Sequence, residues 1–587
     1  MNHFLPTSLE EGKQYYPHFN QFDVIFVAGD PYYDHPLSGV AILSRLLDRK
    51  GYRVGIIAQP QTDEEYQACG RPKYFFCITS GLLDSMLANY TPMLRKRENV
   101  LVPERALMVY TQKVKELFKG AMTVLGGVEA TIRRFTHFDY KENQLRRGIL
   151  NDTKADLLLF GNAERSLLEL LGRLKEIEAT ESSELNFNKI RKQLNLPALD
   201  GAAFRISPEE INPKIKLLPS YEDCLKDKQQ FSRLTKIHYL LPENSFIEPC
   251  GQGFIQHNRA APLLTEKEME VIYSVEFTRK LHPHSRNLVE NERMVAKLET
   301  SVILGRGCWG SCNFCIIPLV QGKEIARRSK ESILKEIETL YQQGFVKIND
   351  LTLPTLNMYG SYCSLYDLEE NLFSPIIGQE VVVYTKKKYC DQRCVGCPKR
   401  ILRDDLYPLL EEVEKLQQKY LGTELELRSA IRHDLILRQK ALFRKIMQFT
   451  SRLKIAPEHI SKTVLKSMNK GSRKEFEDFL LEYKKINQEQ GTHKNLVPYF
   501  IAAHPGSTME EMRLLREFCE EKDLYVNLTQ VFTPTPGTAS TAAYYTGIDT
   551  FTQGFVYVPR TFREKKNQKN ILLNTASPEV RVNDELG

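Results

Sequence analysis

An α/β protein in two parts, a doubly wound Rossmann-like domain followed by a partial β/α barrel, is the fold this sequence predicts. Three observations predict it. Short β-rich apolar runs alternate with helical patterns between residues 23 and 160, and the same alternation resumes at 301 and continues to 532. A glycine-rich loop with three closely spaced cysteines, CWGSCNFC (308–315), follows the first strand of the second series. Alternating strands and helices imply parallel sheets, because a parallel pair needs a crossover long enough to hold a helix.

In the first part, DVIFVAG (23–29), RVGIIA (53–58), YFFCIT (74–79), AMTVLG (121–126) and DLLLF (156–160) read as buried strands. Between the first two, GVAILSRLLDRKG has apolar residues at helical spacing and stops at Gly51. This domain is expected over 20–170, with its ligand crevice beyond the strand C-termini, near Gly29, Asp30, Ser80, Gly81 and the Gly126-Gly127 turn. From 171 to 294 the periodicity fades into polar stretches such as ATESSELN, which predicts connecting structure.

The barrel is expected over 295–565. SVILG (301–305), VKIND (346–350), ELELR (424–428), RLKIA (452–456), VPYFIA (497–502) and YVNLTQVF (525–532) read as its strands. Capping boxes at Ser472–Glu475 and Thr508–Glu511 open two of the intervening helices. Residues 355–400 read as an irregular, cysteine-bearing insertion, and the polar tail 566–587 is expected to be disordered.

Composition narrows the function. A hydrophobic fraction of 42% beside 26% charged residues belongs to a soluble globular chain. No apolar run approaches the roughly 20 residues that cross a bilayer, and MNHFLPTSLEEGKQYY lacks the basic start and apolar core of a signal peptide. A cytoplasmic protein with no membrane partner is expected. Twelve cysteines in a reducing compartment are not a disulfide framework, and six of them fall into two triplets that point to metal. The net charge of +7 arises from 81 basic and 74 acidic residues, so nucleic acid is disfavoured as a partner and the run Lys386–Lys388 reads as solvated surface.

Cys308, Cys312 and Cys315 carry the chemistry. Three thiolates can hold three irons of a [4Fe-4S] cubane and leave the fourth iron open. Gly305, Gly307 and Gly310 would let the backbone wrap closely around an inorganic core. The competing zinc reading needs a fourth protein ligand and more often uses paired Cys-x2-Cys units.

CWGSCNFC also resembles the Cys-x3-Cys-x-aromatic-Cys signature of radical S-adenosylmethionine (SAM) enzymes, with Phe314 as the aromatic. The resemblance extends through GCWGSCNFCIIPLVQGKEIARRSKESILKEI, LTLPTLNMYG, LKIAPEHISKTVLKSMNKG, VPYFIAAHPGST and FTPTPGTASTAAYYTG, together with the N-terminal DPYYDHPLSGVAILSRLLDRKGYRVGIIAQP and LGGVEATIRRFTHFDY. Taken together these stretches resemble the uncharacterised YgiQ (UPF0313) family from about residue 20 to about 570. The resemblance implies a radical SAM barrel behind a Rossmann-like, cobalamin-binding-like domain. It also implies a [4Fe-4S] cluster, SAM cleaved to a 5′-deoxyadenosyl radical for hydrogen abstraction, and an external electron donor such as flavodoxin or ferredoxin. It supplies no substrate.

Within that frame Asp350, Ser429, Arg432, Glu458 and His504 are the candidate SAM-binding residues, each at a predicted strand end. Arg432, in RSAIRHDL, could fork onto a carboxylate, with an ion pair to Asp434 as the competing reading. Asp350 sits in DLTLPT rather than in a Gly-Gly-Glu motif, and a plain strand-end cap competes with a ligand role. His459, beside Glu458 in APEH, shares the same edge.

Cobalamin is considered and disfavoured. Asp34-His35-Pro36-Leu37-Ser38-Gly39 places Asp and His side by side and misses the Asp-x-His-x-x-Gly spacing of base-off binding. Gly161-Asn162-Ala163-Glu164 departs from Gly-x-Gly-Glu, and a methylthiotransferase would carry three cysteines where only Cys69 and Cys77 lie. The other readings kept open are a cobalamin-dependent radical SAM methyltransferase and an iron–sulfur redox sensor or scaffold. A sensor would need the cysteines but not a barrel with polar strand ends.

The second triplet, CDQRCVGC (390–397), repeats the Cys-x3-Cys-x2-Cys spacing without the aromatic. Cys363, Cys390, Cys394 and Cys397 are candidate ligands of an accessory metal, either an iron–sulfur cluster or a structural zinc.

Overall fold

A computed structural model describes residues 3–180, 187–285, 295–386, 390–391, 393–526 and 528–573. Residues 387–388 of the lysine run, 181–186 of ATESSELN and 574–587 of the tail fall outside that set. The chain forms two compact units, one of Met1–Glu299, Leu319–Gly322 and Leu365–Tyr389, the other of Thr300–Pro318, Lys323–Ser364 and Cys390–Gly587.

The first unit is built on a nine-stranded sheet. Its strands are β1 (Val24–Ala28), β2 (Val54–Ala58), β3 (Phe75–Thr79), β4 (Met122–Leu125), β5 (Leu157–Leu159), β6 (Ala202–Ile206), β7 (Lys216–Leu217), β8 (Phe246–Cys250) and β9 (Gly253–His257). The spatial order is β2-β1-β3-β4-β5-β6-β9-β8-β7. The first five are parallel, in doubly wound order. Every residue of β1 is buried, as a strand covered on both faces must be.

From β5 onward the sheet turns antiparallel, through β6, β9 and β8. The stretch 171–294, expected to be connecting structure, thus supplies four strands of the sheet. A long hairpin, Tyr366–Ser374 with Gln379–Lys386, belongs to this unit as well. Ser374 Oγ donates to buried Glu268, whose carboxylate also takes the Arg165 guanidinium. The insertion 355–400 is therefore regular over much of its length, and its middle packs with the first unit.

At the C-terminal ends of β1, β3 and β4 the backbone packs closely at three glycines. A Cβ on Gly29 would come within 2.3 Å of the Ser80 carbonyl, and one on Gly127 within 2.3 Å of Thr79 Oγ1. Gly81, at φ +100°, leaves room for the Asp30 carboxylate, which accepts from Leu82 N at 2.6 Å. Burial raises the Asp30 pKa from 3.8 to about 6, against the smaller opposing effect of that hydrogen bond. The folded state therefore binds this proton where the unfolded state has released it. The contribution is most favourable below 3.8 and is lost as pH rises through about 6. Asp30→Asn should flatten that fall, seen as a thermal midpoint that no longer drops across the window and lies above wild type beyond it.

The second unit is an open barrel. Its strands are β10 (Ser301–Ile303), β11 (Lys347–Ile348), β12 (Asp350–Thr352), β13 (Glu424–Leu425), β14 (Arg452–Glu458), β15 (Asn495–Ala502) and β16 (Leu528–Val531). β10 pairs with β12 and β11 with β13, Ile431 bridges to Ile455 on β14, and β14, β15 and β16 follow, all parallel. The strand expected to end at Asp350 breaks at Asn349 and runs on to Thr352.

Helices cover the barrel with apolar stripes. Lys330–Gln342 buries Ile333, Ile337, Leu340 and Tyr341, the spacing of one helical face. Both expected capping boxes are present, at Ser472–Glu475 and Thr508–Glu511. The tail is corrected in part, since Phe562–Leu573 is helical and buries Lys565, Gln568 and Leu572. Among the described residues no helix is long and apolar enough to cross a membrane.

Candidate metal centre at the mouth of the barrel

Cys308, Cys312 and Cys315 lie in the loop that leaves β10, at the C-terminal face where barrels place their sites. All three thiols are free, Cys308 buried and the other two partly so. The loop needs its small residues. Gly307 has φ +98°, and a Cβ on Gly310 would lie 2.8 Å from Arg432 Nη1 and 3.4 Å from Cys308 Sγ. Cys315 N donates to Cys312 O at 3.0 Å, closing the Cys-x2-Cys turn.

Five separate stretches hold this loop. In LTLPTLNMYG, Thr355 Oγ1 lies 3.6 Å and Met358 Sδ 3.9 Å from Cys308 Sγ. In RSAIRHDL, Arg432 Nη1 donates toward Cys312 Sγ at 3.5 Å. In VLKSMNKG, Ser467 and Met468 give their carbonyls to Asn313, and Asn469 Nδ2 donates to Ser311 O at 2.8 Å. In GTASTAAYYTG, Ser540 N donates to Asn313 O at 2.9 Å. In AAHPGST, the His504 ring meets Phe314 edge to face at 6.0 Å.

The electrostatics suit an anionic centre. Burial pushes the Cys308 and Cys315 thiols up, and neighbouring sulfurs add to it, so the bare loop holds neutral thiols that a metal would deprotonate. Arg432 and Lys470 supply positive charge, opposing the rise at Cys308 and Cys315 respectively. Each is tied to a carboxylate, Arg432 to Asp434 and Lys470 to Glu458 at 3.5 Å. Burial pushes the Asp434 carboxyl up, but the Arg432 guanidinium outweighs it and holds the group well below the usual range. Burial raises the Glu458 pKa despite Lys470.

The predicted SAM-binding residues fall into three settings. Asp350 and Ser429 close on each other: Asp350 accepts from Ser429 Oγ at 2.6 Å, from Ser429 N at 3.0 Å and from Arg428 N at 2.8 Å. This is cap geometry, and with Thr352 Oγ1 at 3.3 Å it occupies both carboxylate oxygens. The fork of Arg432 that was offered to a ligand carboxylate is taken by Asp434, at 2.9 and 2.5 Å, leaving Nη1 on the cysteine loop. Asn357 fixes Arg432 from behind, accepting from its N at 2.9 Å and donating to its O at 3.3 Å.

His504 is fully engaged. Its Nδ1 sits 2.8 Å from Pro505 O, which can only accept, so Nε2 accepts from Ser540 Oγ at 2.7 Å. His459 is not. Its Nδ1 accepts from Ile460 N and Ser461 N, both at 3.0 Å, which leaves the proton on Nε2, and that atom is buried with no partner. Burial lowers the His459 pKa to about 3, so the ring is a neutral donor. Both histidines follow a left-handed residue at a strand end, Glu458 at φ +67° and Ala503 at φ +60°. Such a residue turns the chain sharply and persists where surrounding structure over-determines it.

Asn357, Lys470 and Ser540 are not among the residues that sequence reasoning singles out. Their signal lies in the quoted motifs, each of which reaches the cysteine loop or Arg432 beside it.

The residues that would mark base-off cobalamin binding serve the fold instead. Asp34 pairs with Arg45 at 3.0 and 2.6 Å, and His35 Nε2 lies 3.0 Å from Glu299 O with Nδ1 accepting from Leu37 N. Asn162 donates to Gln321 O at 3.1 Å.

A family model described as Radical SAM N-terminal matches residues 4–298. A UPF0313 protein of Methanocaldococcus jannaschii is 36% identical over 97% of this chain and 92% of its own length. Another, of Geobacter sulfurreducens, is 33% identical over the same shares. Among solved structures, the radical SAM methyltransferase TsrM from Kitasatospora setae, with cobalamin and a [4Fe-4S] cluster bound, aligns with a TM-score of 0.54 at 12% identity, covering 95% of this chain and 92% of that one. At that identity the likeness concerns the fold alone.

Proposed function

From the premise that the chain belongs to the UPF0313 family and carries the Radical SAM N-terminal domain, we propose that it is a radical SAM enzyme whose [4Fe-4S] cluster is held by Cys308, Cys312 and Cys315. The observation that carries the reading is the convergence of five distant stretches on one three-cysteine loop. Held by Cys308, Cys312 and Cys315, the cluster would supply the electron for reductive cleavage of SAM to a 5′-deoxyadenosyl radical.

The chain's own residues do the rest. Arg432 and Lys470 offset the charge of three thiolates. Phe314, which precedes the last cysteine, packs its ring against His504. His459 Nε2–H is a buried donor without a partner at the same strand edge, suited to a carbonyl, carboxylate or ribose oxygen of SAM or substrate. Electrons come from an external donor of the flavodoxin or ferredoxin class.

Cobalamin is disfavoured, because Asp34 and His35 are spent on internal partners. A redox sensor is the weaker alternative, since it has no use for an unpartnered donor at the barrel mouth.

The test is anaerobic reconstitution with iron and sulfide, then reduction in the presence of SAM. Release of 5′-deoxyadenosine is expected, and an intact, reduced cluster that releases none would sink the enzyme reading. His459→Asn keeps an acceptor near the Nδ1 position and removes the Nε2 donor. It should retain full iron and raise the SAM or substrate concentration at half-maximal rate by roughly tenfold, as one lost buried hydrogen bond would. Unchanged kinetics would remove His459 from the site.

A further inference from the structure

We propose that Cys363, Cys390, Cys394 and Cys397 hold a second iron–sulfur cluster, and that Arg400 joins it to the first cysteine loop. The two cysteine loops share more than spacing. Cys397 N donates to Cys394 O at 3.1 Å, closing the Cys-x2-Cys segment with the hydrogen bond that Cys315 N makes to Cys312 O at 3.0 Å, although Gly396 is left-handed where Phe314 is not. Gly396, at φ +79°, supplies the left-handed residue that this turn requires. The next turn repeats the step, with Arg400 N donating to Cys397 O at 3.1 Å.

The fourth thiol comes from across a short ribbon. Tyr362–Cys363 pairs antiparallel with Arg400–Ile401, and Cys363 lies opposite Arg400 in register. The Arg400 side chain donates to Cys394 Sγ at 3.3 Å. Cys394 and Val395 pack against the barrel core, so the loop is anchored.

Arg400 also touches the first loop. Its guanidinium lies 4.9 Å from the centre of the Trp309 ring, and Trp309 directly follows Cys308. Glu324 fixes the guanidinium bidentately at 2.6 and 2.7 Å. One buried cation thus faces a ligand sulfur of the second set and the aromatic neighbour of a ligand of the first. Hydrogen bonds to cluster sulfurs tune reduction potential, and a fixed guanidinium is a strong instance.

Iron–sulfur is favoured over zinc on two grounds. Zinc sites more often use paired Cys-x2-Cys units, whereas this set repeats the triplet of the first loop. Tetrahedral zinc also brings thiolate sulfurs to about 3.8 Å. Among the described residues only Glu11, His282 and His284 bring three ligand atoms within 4.8 Å of one another, so both cysteine sets are spaced more widely than one zinc ion holds them.

The experiment is metal analysis of the full chain after anaerobic purification and reconstitution. Wild type should carry about eight irons, and Cys394→Ser/Cys397→Ser and Cys308→Ala/Cys312→Ala/Cys315→Ala about four each, the content of one cubane. The second variant isolates the proposed centre, so a misfolded first variant leaves the proposal falsifiable. An iron-free triple variant, or stoichiometric zinc in it, would overturn the assignment. Iron unchanged in the triple variant would instead overturn the first site. Arg400→Gln, made with Glu324→Gln to avoid an unpaired buried carboxylate, should move the reduction midpoint of the triple variant's remaining cluster to more negative values at unchanged iron. An unmoved midpoint would overturn the part given to Arg400.

Discussion

Cys308→Ala should release the first cluster and lower SAM cleavage at least about a thousandfold, the scale on which losing a reaction centre is felt. Cys308 is the most enclosed of the three thiols, with Thr355, Met358 and Gly310 against it. Cys519→Ala is the matched control. That thiol is also buried, in the helix Met509–Glu521 of the same unit, and its loss should cost no more than about 2 kcal/mol of packing with iron and cleavage intact. The pair separates loss of a ligand from loss of a buried thiol. Retained iron and retained 5′-deoxyadenosine in Cys308→Ala would refute the assignment of this loop.

The apolar runs at 24–28, 54–58 and 75–79 announced the parallel sheet because fully buried strands have no other way to be written. Its mixed edge was not legible, for β6, β8 and β9 interleave polar residues such as Arg205, Glu248 and Gln256 and β7 has only two residues. Those residues find internal partners, as Gln256 does in Asn258 at 2.8 Å, so polar composition masked buried structure.

The C-terminal helix misled for the same reason. FREKKNQKNILL reads as a solvated tail, yet its buried face joins one core leucine, Leu572, to the hydrogen-bonding side chains of Lys565 and Gln568. Gln568 accepts from Ala503 N and Ser507 Oγ, both at 2.9 Å, and donates to Ser507 O at 2.9 Å. A hydrophobicity pattern cannot register a helix that docks through a side-chain amide. That amide buttresses the turn carrying His504, which in turn backs Phe314, so a segment taken for a tail supports the site.

The cysteine loop itself was legible because its chemistry is local to eight residues. The supporting residues were not, because they act over sequence separations of 47 for Thr355 and 120 for Arg432. The ligand role of Arg432 rests on its position at a strand end, and position alone does not reveal that a neighbour two residues on claims its guanidinium.

Arg432→Met should be the most damaging change outside the cysteines. It strands the buried Asp434 carboxylate, and breaking a buried pair from one side costs about 3–5 kcal/mol. Hydrogen exchange across 428–436 should accelerate to match. Replacing both partners, as Arg432→Met/Asp434→Leu, should restore most of that protection, since an apolar pair of similar volume avoids the desolvation cost. The cluster should not recover with the fold. Arg432 Nη1 faces Cys312 Sγ, and removing that positive donor shifts the reduction midpoint of the first cluster to more negative values in both variants. A double variant with restored protection and a restored midpoint would reduce Arg432 to a structural ion pair. Restored protection with a displaced midpoint would place it as the residue that positions and tunes the cluster.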